Sequence, residues 1–312
     1  MIKVGILGTG FGKNHAELYG KIDGFEVVSI FGRNKDKLAE ISNELKVRTT
    51  SDINDIIKDP GIDLIDICLP TELHSKWAVE GMKNNKHIFC ETPISYSVED
   101  AQEIKEAMLK YNKNLYVDMF IKFSTPHQTA INLVKKEGLG RPHSFRSYNK
   151  TSPRWGDLSI RKNIETFHIH NIDFMCEIMG MPKSVTAAAV NYNKKSIVTS
   201  SLYYENCYAI LESNSNMPYC CPFEIGFEIV FENGVIRYDA VYGEFTREEC
   251  SVFENNKPRE VLSLKMKDEY EEVFKHLLFC LTNNLKSELI DIENAINTVK
   301  IKKMIIDSFE KG

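Results

Sequence analysis

Apolar residues follow two rhythms along this chain. Between Ile2 and Asp118, short apolar runs at residues 3–7, 26–31, 64–69, 87–90 and 115–117 alternate with stretches of helical spacing. Trp77, Ala78, Gly81 and Met82 share one face of a helix predicted to begin near Glu72. Ala101, Ile104, Ala107, Met108 and Tyr111 share one face of the next. The runs are nearly continuous, as strands buried on both faces require. Strand and helix in turn predict right-handed βαβ units and a doubly wound parallel sheet with helices on both faces.

After about residue 120 the rhythm changes. Helices are predicted over 125–136 and 164–179, a strand over 143–149, and many short strands over 183–264, divided by turns such as Asn233-Gly234. Helices at 267–281 and 291–309 close the chain, the last with an apolar stripe of Ile292, Ala295, Ile296 and Val299. Strands grouped apart from helices predict an α+β domain with a mixed or antiparallel sheet. The expected division is an α/β domain over residues 1–119 and an α+β domain over 120–312, tightly joined because no linker or repeat intervenes.

Composition excludes several classes of function. The 312 residues carry 39 basic and 44 acidic side chains, a net charge of −5, and 43% are hydrophobic. A disordered chain would have few apolar residues and a large net charge, and a nucleic-acid binder would have a basic excess. No apolar run approaches the roughly 18 residues of a membrane span, and the start does not read as a signal peptide. A cytoplasmic protein with no membrane or nucleic-acid partner is expected. The eight cysteines form no C-x-x-C, so reduced buried thiols are expected, with Cys68 and Cys90 acting as small hydrophobes inside strand-like runs.

Candidate chemistry begins where the first strand runs into Gly8-Thr9-Gly10-Phe11-Gly12 and then a helix. Gly8 permits a tight turn, Gly10 lets the backbone approach a pyrophosphate, and the helix start presents free N–H groups to that anion. The pattern departs from G-x-G-x-x-G, with the third glycine one place early at Gly12 and Lys13 in its usual position. Twenty residues beyond Gly12, where an Asp or Glu would hold the ribose of NAD, stand Gly32-Arg33-Asn34. Arg33 favours the 2′-phosphate of NADP. The other reading makes Arg33 a solvated turn residue, with NAD held through water and Asn34.

Further landmarks in order are Pro70-Thr71-Glu72-Leu73-His74, Cys90-Glu91-Thr92-Pro93, Gly138-Leu139-Gly140, His170-Asn171-Ile172-Asp173, the strand and turn at 228–234, and Asp291, Ala295 and Ser308 on the closing helix. With these the sequence resembles the Gfo/Idh/MocA oxidoreductases, the relatives of glucose–fructose oxidoreductase and inositol dehydrogenase, over nearly its whole length. The resemblance implies a Rossmann domain binding NAD(P)(H), an open-faced second domain, and a sugar-like substrate held between them against the nicotinamide. It also implies that Leu69, Pro70, Thr71, His74 and Glu91 line the nicotinamide ribose. For His74 the alternative is a local role at a helix start.

The family's catalytic set is a Lys in a Glu-Lys-Pro motif and an Asp four residues before a His. Here the His is His170, but the Lys position is Thr92 and the Asp position Thr166. The resemblance implies that His170 is the acid–base group and Thr92 a weak hydrogen-bonding group near the nicotinamide. Lys122, on the strand entering the second domain, could replace the missing oxyanion donor. Asp173, one helical turn on, could orient His170 or make only a structural bond. His168 is expected roughly 200° around from His170. The function implied is hydride transfer between nicotinamide and a sugar or polyol. Alternatives are a nucleotide-binding sensor that has lost turnover, or an NAD-assisted glycoside hydrolase or lyase. No metal site is expected, since nothing nearby completes a set with His168 and His170. Arg154-Trp155-Gly156 reads as a substrate-stacking loop or an interdomain contact. Lys135-Lys136 and Lys302-Lys303 read as solvated helix faces. A homo-oligomer, dimer or tetramer, is expected from an exposed sheet face.

Overall fold

The computed structural model describes residues 1–136 and 138–310. The chain divides into two compact units, one of residues 1–123 and 267–299, the other of residues 124–266 together with the chain from 300 onward.

The first unit opens with β1 Ile2–Leu7, α1 Phe11–Lys21, β2 Phe25–Phe31, α2 Lys35–Leu45, β3 Arg48–Thr50, α3 Asn54–Ile57 and β4 Leu64–Ile67. A short 3₁₀ turn, Thr71–Leu73, leads into α4 His74–Lys83, then β5 His87–Glu91, α5 Val98–Tyr111 and β6 Leu115–Asp118. The strands form one sheet in the order β3-β2-β1-β4-β5-β6, with parallel pairing throughout. Strand order reverses between β1 and β4, the place where open α/β sheets take ligands beyond their carboxyl ends. All of β4 and β6 is buried, which is why both are mainly apolar, with Asp66 and Asp118 as their exceptions. The segment between β2 and β4 is predicted only as helical spacing, with no strand in it. Its strand β3 is three polar residues, and its helix α2 starts at Asn34, whose side chain accepts the Lys37 N–H at 3.0 Å.

The second unit contains α6 Thr125–Lys135, β7 Pro142–Lys150, α7 Ile160–Asn163, a π-helical turn Ile164–His168 and α8 Ile169–Met179. Seven strands follow, β8 Ser184–Tyr192, β9 Lys195–Tyr203, β10 Tyr208–Asn214, β11 Phe223–Phe231, β12 Gly234–Tyr242, β13 Arg247–Glu254 and β14 Glu260–Val261. The eight strands are ordered β14-β13-β12-β11-β7-β10-β9-β8. Only β7 and β10 run parallel, so the sheet is mixed. Along β9 buried positions alternate with more exposed ones, the mark of a sheet covered on one face.

The closing helices are α9 Glu269–Thr282 and α10 Ile292–Glu310. A division at residue 119 assigns α9 to the carboxy-terminal domain. In the structure α9 and the start of α10 belong to the first unit, because α9 carries Phe274, wholly buried among His15, Tyr19 and Phe89 with ring centroids 5.1, 4.6 and 5.4 Å away. Phe274→Ala is expected to cost about 3–5 kcal/mol of stability, read by urea denaturation. A loss under 1 kcal/mol would show that α9 is not part of that core.

Three local expectations change. Lys122 lies in a 3₁₀ turn, Phe120–Phe123, and not on a strand, because the chain bends as soon as β6 ends, with Met119 N–H donating to the Val117 carbonyl at 2.8 Å. Lys302 is 2% exposed and not solvated, whereas Lys303 on the outer face of α10 pairs with Asp307 at 2.6 Å. The eight cysteines are free thiols, but only Cys90, Cys176, Cys250 and Cys280 are buried. Among the described residues, no helix is long and apolar enough to cross a membrane.

Candidate functional site

The three glycines of the first loop have three different surroundings. Gly8 has φ +125°, and a Cβ there would lie 2.3 Å from the Cys68 carbonyl oxygen. A Cβ on Gly12 would meet the Ile6 side chain at 2.8 Å, so this glycine lets α1 pack closely on β1. A Cβ on Gly10 would meet nothing within 4 Å. The fold itself therefore demands glycine at 8 and 12, while nothing in the chain crowds a side chain at Gly10. Gly10 is also the N-cap of α1 and has no side chain to satisfy the helix N–H groups. Thr9 and Phe11 complete the turn. Thr9 packs at Gly32, where a Cβ would lie 2.4 Å from its methyl group, and Phe11 is exposed. Lys13 reaches out to Glu44 on α2, so it does not crowd the loop from the usual third-glycine place.

Arg33 is exposed at the end of β2, beside the Asn34 cap. Leu69, Pro70 and Thr71 follow β4, and Glu91 ends β5. His74 is buried, with Nε2 at 2.7 Å from the Leu69 carbonyl and Nδ1 at 3.0 Å from the Pro93 carbonyl. Both ring nitrogens face main-chain carbonyls, so His74 ties the loop after β4 to the loop after β5. Burial holds its pKa below the ordinary histidine value. Thr92 donates its hydroxyl to Met119 Sδ at 3.3 Å. Lys122 is wholly buried, and its charge acts on Asp291, also of the first unit.

Beneath the glycine loop lies a polar cluster that the sequence reading missed. His15 of α1 is 1% exposed, and Asp66 and Asp118 are 0% exposed. The His15 Nδ1 hydrogen donates to Asp66 Oδ2 at 2.9 Å, and His15 Nε2 lies 3.2 Å from Glu91 Oε1 and 3.5 Å from Asp118 Oδ2. Cys68 Sγ is 3.3 Å from both His15 Nδ1 and Asp66 Oδ1. Cys68 is therefore half-buried in a charged setting and not the small hydrophobe expected of it. Burial, then the Glu91 charge, push the Asp118 carboxyl well above the usual carboxylate range, against the pull of His15. Burial opposes a charge on His15, but Cys68 and Asp66 outweigh it and its pKa lies well above the ordinary value.

In the second unit, His170 is half-buried on α8, and Asp173, one turn on, is 1% exposed. Thr166 is exposed, and Glu165 pairs with Lys162 at 3.1 Å. His168 turns into the sheet, with Nδ1 2.8 Å from Ser213 Oγ and Nε2 2.9 Å from Ser200 Oγ. Two hydroxyls suit a neutral ring, which donates to one serine and accepts from the other. Burial lowers the His168 pKa to about 3. His127 on α6, also wholly buried, is lowered to about 3 by burial and then by His170. Trp155 packs its ring on Phe167 and Phe223, with centroids 5.3 and 5.4 Å away, and Arg154 donates to the Tyr219 carbonyl at 2.5 Å.

Residues 2–119 match a family described as an oxidoreductase family with an NAD-binding Rossmann fold. The chain is 30% identical over 185 residues to an uncharacterised oxidoreductase of Bacillus subtilis, covering 57% of this chain and 54% of the relative. It is 28% identical over 184 residues to a myo-inositol 2-dehydrogenase of Thermotoga maritima, covering 57% and 55%. Each alignment spans about half of the relative's own length. Among solved structures, levoglucosan dehydrogenase in complex with NADH superposes with a TM-score of 0.85 at 19% identity, over 99% of this chain and 97% of that one.

Proposed function

We propose that this chain, whose residues 2–119 match an oxidoreductase family with an NAD-binding Rossmann fold, is a Gfo/Idh/MocA oxidoreductase that transfers hydride between NAD(P) and a CH–OH group of a sugar or polyol. The observation that carries the dinucleotide reading is the clear space at Gly10, set between two glycines that the fold itself confines. A pyrophosphate on that turn would meet the free N–H groups of α1. Leu69, Pro70, Thr71 and Glu91 would line the ribose, with His74 as a positioning residue that fixes both loops. Arg33 favours NADP, since the Asn34 side chain is already engaged as a helix cap. The myo-inositol 2-dehydrogenase relative supports a polyhydroxylated substrate.

When bound, the nicotinamide accepts or supplies the hydride. The protein's part is proton transfer and orientation. His170 takes the hydroxyl proton during oxidation and returns it during reduction, the general acid–base role an imidazole can fill. Asp173 orients His170 from the same helix face. Thr92 offers the substrate oxygen a hydroxyl where the family carries a lysine, a weaker donor that lowers the rate.

Calorimetry with NADPH and NADH is the first test. We expect NADPH to bind more tightly, and Arg33→Ala to weaken NADPH about tenfold or more while sparing NADH. No heat with either coenzyme would end this reading. On a panel of sugars and inositols, His170→Ala is expected to lower turnover by about 10²–10⁴. Tight binding with no turnover on the panel would favour the sensor, which the threonines at 92 and 166 also suit.

A further inference from the structure

The polar cluster under the glycine loop has more acceptors than donors. His15 Nδ1 is taken by Asp66, which fixes the ring so that Nε2 faces Glu91 and Asp118. Neither His15 Nε2 nor either oxygen of Asp118 has a hydrogen-bond partner, although all three atoms are buried. The buried Asp118 oxygens and the Glu91 carboxylate, converging on His15 Nε2, make a place for one positive centre, either a proton on that nitrogen or a metal ion in its stead. Carboxylate–imidazole pairing on the far nitrogen is the arrangement that orients a metal-binding histidine.

We propose that His15, Cys68 and Glu91, with Asp118 beside them, bind a divalent transition-metal ion of zinc's class. One donor atom from each of His15, Cys68 and Glu91 lies within 4.8 Å of the others. Ligand atoms around a tetrahedral zinc are about 3.3–3.8 Å apart, so the three close on the ion by small side-chain rotations. Asp118 Oδ2, 3.5 Å from His15 Nε2, already stands at that spacing. A set of one nitrogen, one sulfur and carboxylate oxygens selects zinc over magnesium or calcium, which take oxygen ligands alone. Binding displaces the Cys68 thiol proton to solvent, and the ion takes the place of any proton on His15 Nε2. Asp66 is the positioning residue, held to His15 and not to the ion.

The site lies at the carboxyl ends of β4, β5 and β6, within the first unit, and its test needs no nucleotide. Its outcome is therefore separate from that of the oxidoreductase reading. The full chain, stripped with chelator, is titrated with cobalt(II) alone. One equivalent is expected to bind, with visible d–d bands and a near-ultraviolet thiolate-to-cobalt absorption, and zinc is expected to abolish both. Cys68→Ser should remove the thiolate absorption, and Asp118→Asn, which keeps the side-chain shape, should weaken cobalt binding about tenfold or more. The proposal is overturned if the wild-type chain shows no thiolate absorption at one equivalent. It is overturned equally if that absorption survives in Cys68→Ser, or if Asp118→Asn binds cobalt as tightly as the wild type.

Discussion

Gly8→Ala and Gly10→Ala, two residues apart on one turn, are expected to have opposite consequences. Gly8→Ala should destabilise the chain by about 3 kcal/mol or more, because φ is +125° and the new methyl would press on the Cys68 backbone at the end of β4. That backbone is hydrogen-bonded from Cys68 N–H to the Leu7 carbonyl at 2.9 Å, so it yields only if the sheet does. Gly10→Ala should shift stability by no more than about 1 kcal/mol, the range of N-cap changes, since its methyl meets nothing. Its effect is on the ligand, with NADPH binding expected to fall at least about tenfold as the methyl occupies the ground a pyrophosphate needs. Urea denaturation and calorimetry on both variants decide the matter. Undiminished NADPH binding in Gly10→Ala would remove the dinucleotide from this turn.

Acid should unfold the second unit by titrating two interior histidines. His168 faces the hydroxyls of Ser200 and Ser213. His127 faces the Ser124 hydroxyl, the rings of Phe174, Phe227 and Tyr238, and His170. Both folded-state pKa values are lowered to about 3, against about 6.5 in an unfolded chain. The unfolded state therefore binds more protons, and stability rises with pH across this window. The contribution is complete above about pH 6.5 and is lost as pH falls toward 3. The slope approaches about 1.4 kcal/mol per pH unit for each histidine between pH 6.5 and pH 4.5. Two histidines over two pH units make that loss about 5 kcal/mol, a large share of a typical folding free energy of about 5–15 kcal/mol. Denaturation at pH 7 and pH 4.5 measures it. His168→Asn keeps a polar, non-titrating side chain between the serines and is expected to remove about half of the loss. An acid slope unchanged in that variant would show that His168 is not the source.

Much of the first unit was legible because its signals are local. Continuous apolar runs gave β1, β2, β4, β5 and β6, and helical spacing gave α4 and α5, where Ala78, Gly81, Met82, Ala101 and Ile104 are buried. Where pattern was weak, as in the polar triplet of β3, no element was predicted. The π-helical turn at Ile164–His168 was equally hidden, since its sequence has an ordinary helical composition. The clearest missed signal was a single acidic residue in each of two buried strands, Asp66 within β4 and Asp118 at the end of β6. Neither position is compatible with a solvent-facing charge once its run is recognised as a buried strand.

By itself the sequence determined the two kinds of sheet, the glycine turn after β1 and the loops after β2, β4 and β5 that end beside it. These follow from residue spacing within a few turns or strands, which the chain carries in any context. The tertiary structure decided what the spacing could not reach. His15 and Asp66 are 51 residues apart in sequence and 2.9 Å apart in space, and α9 joins a core built mainly from the first 123 residues. Parallel strands connected by crossovers bring distant residues to one sheet edge, so the polar cluster exists only once strand order and register are set.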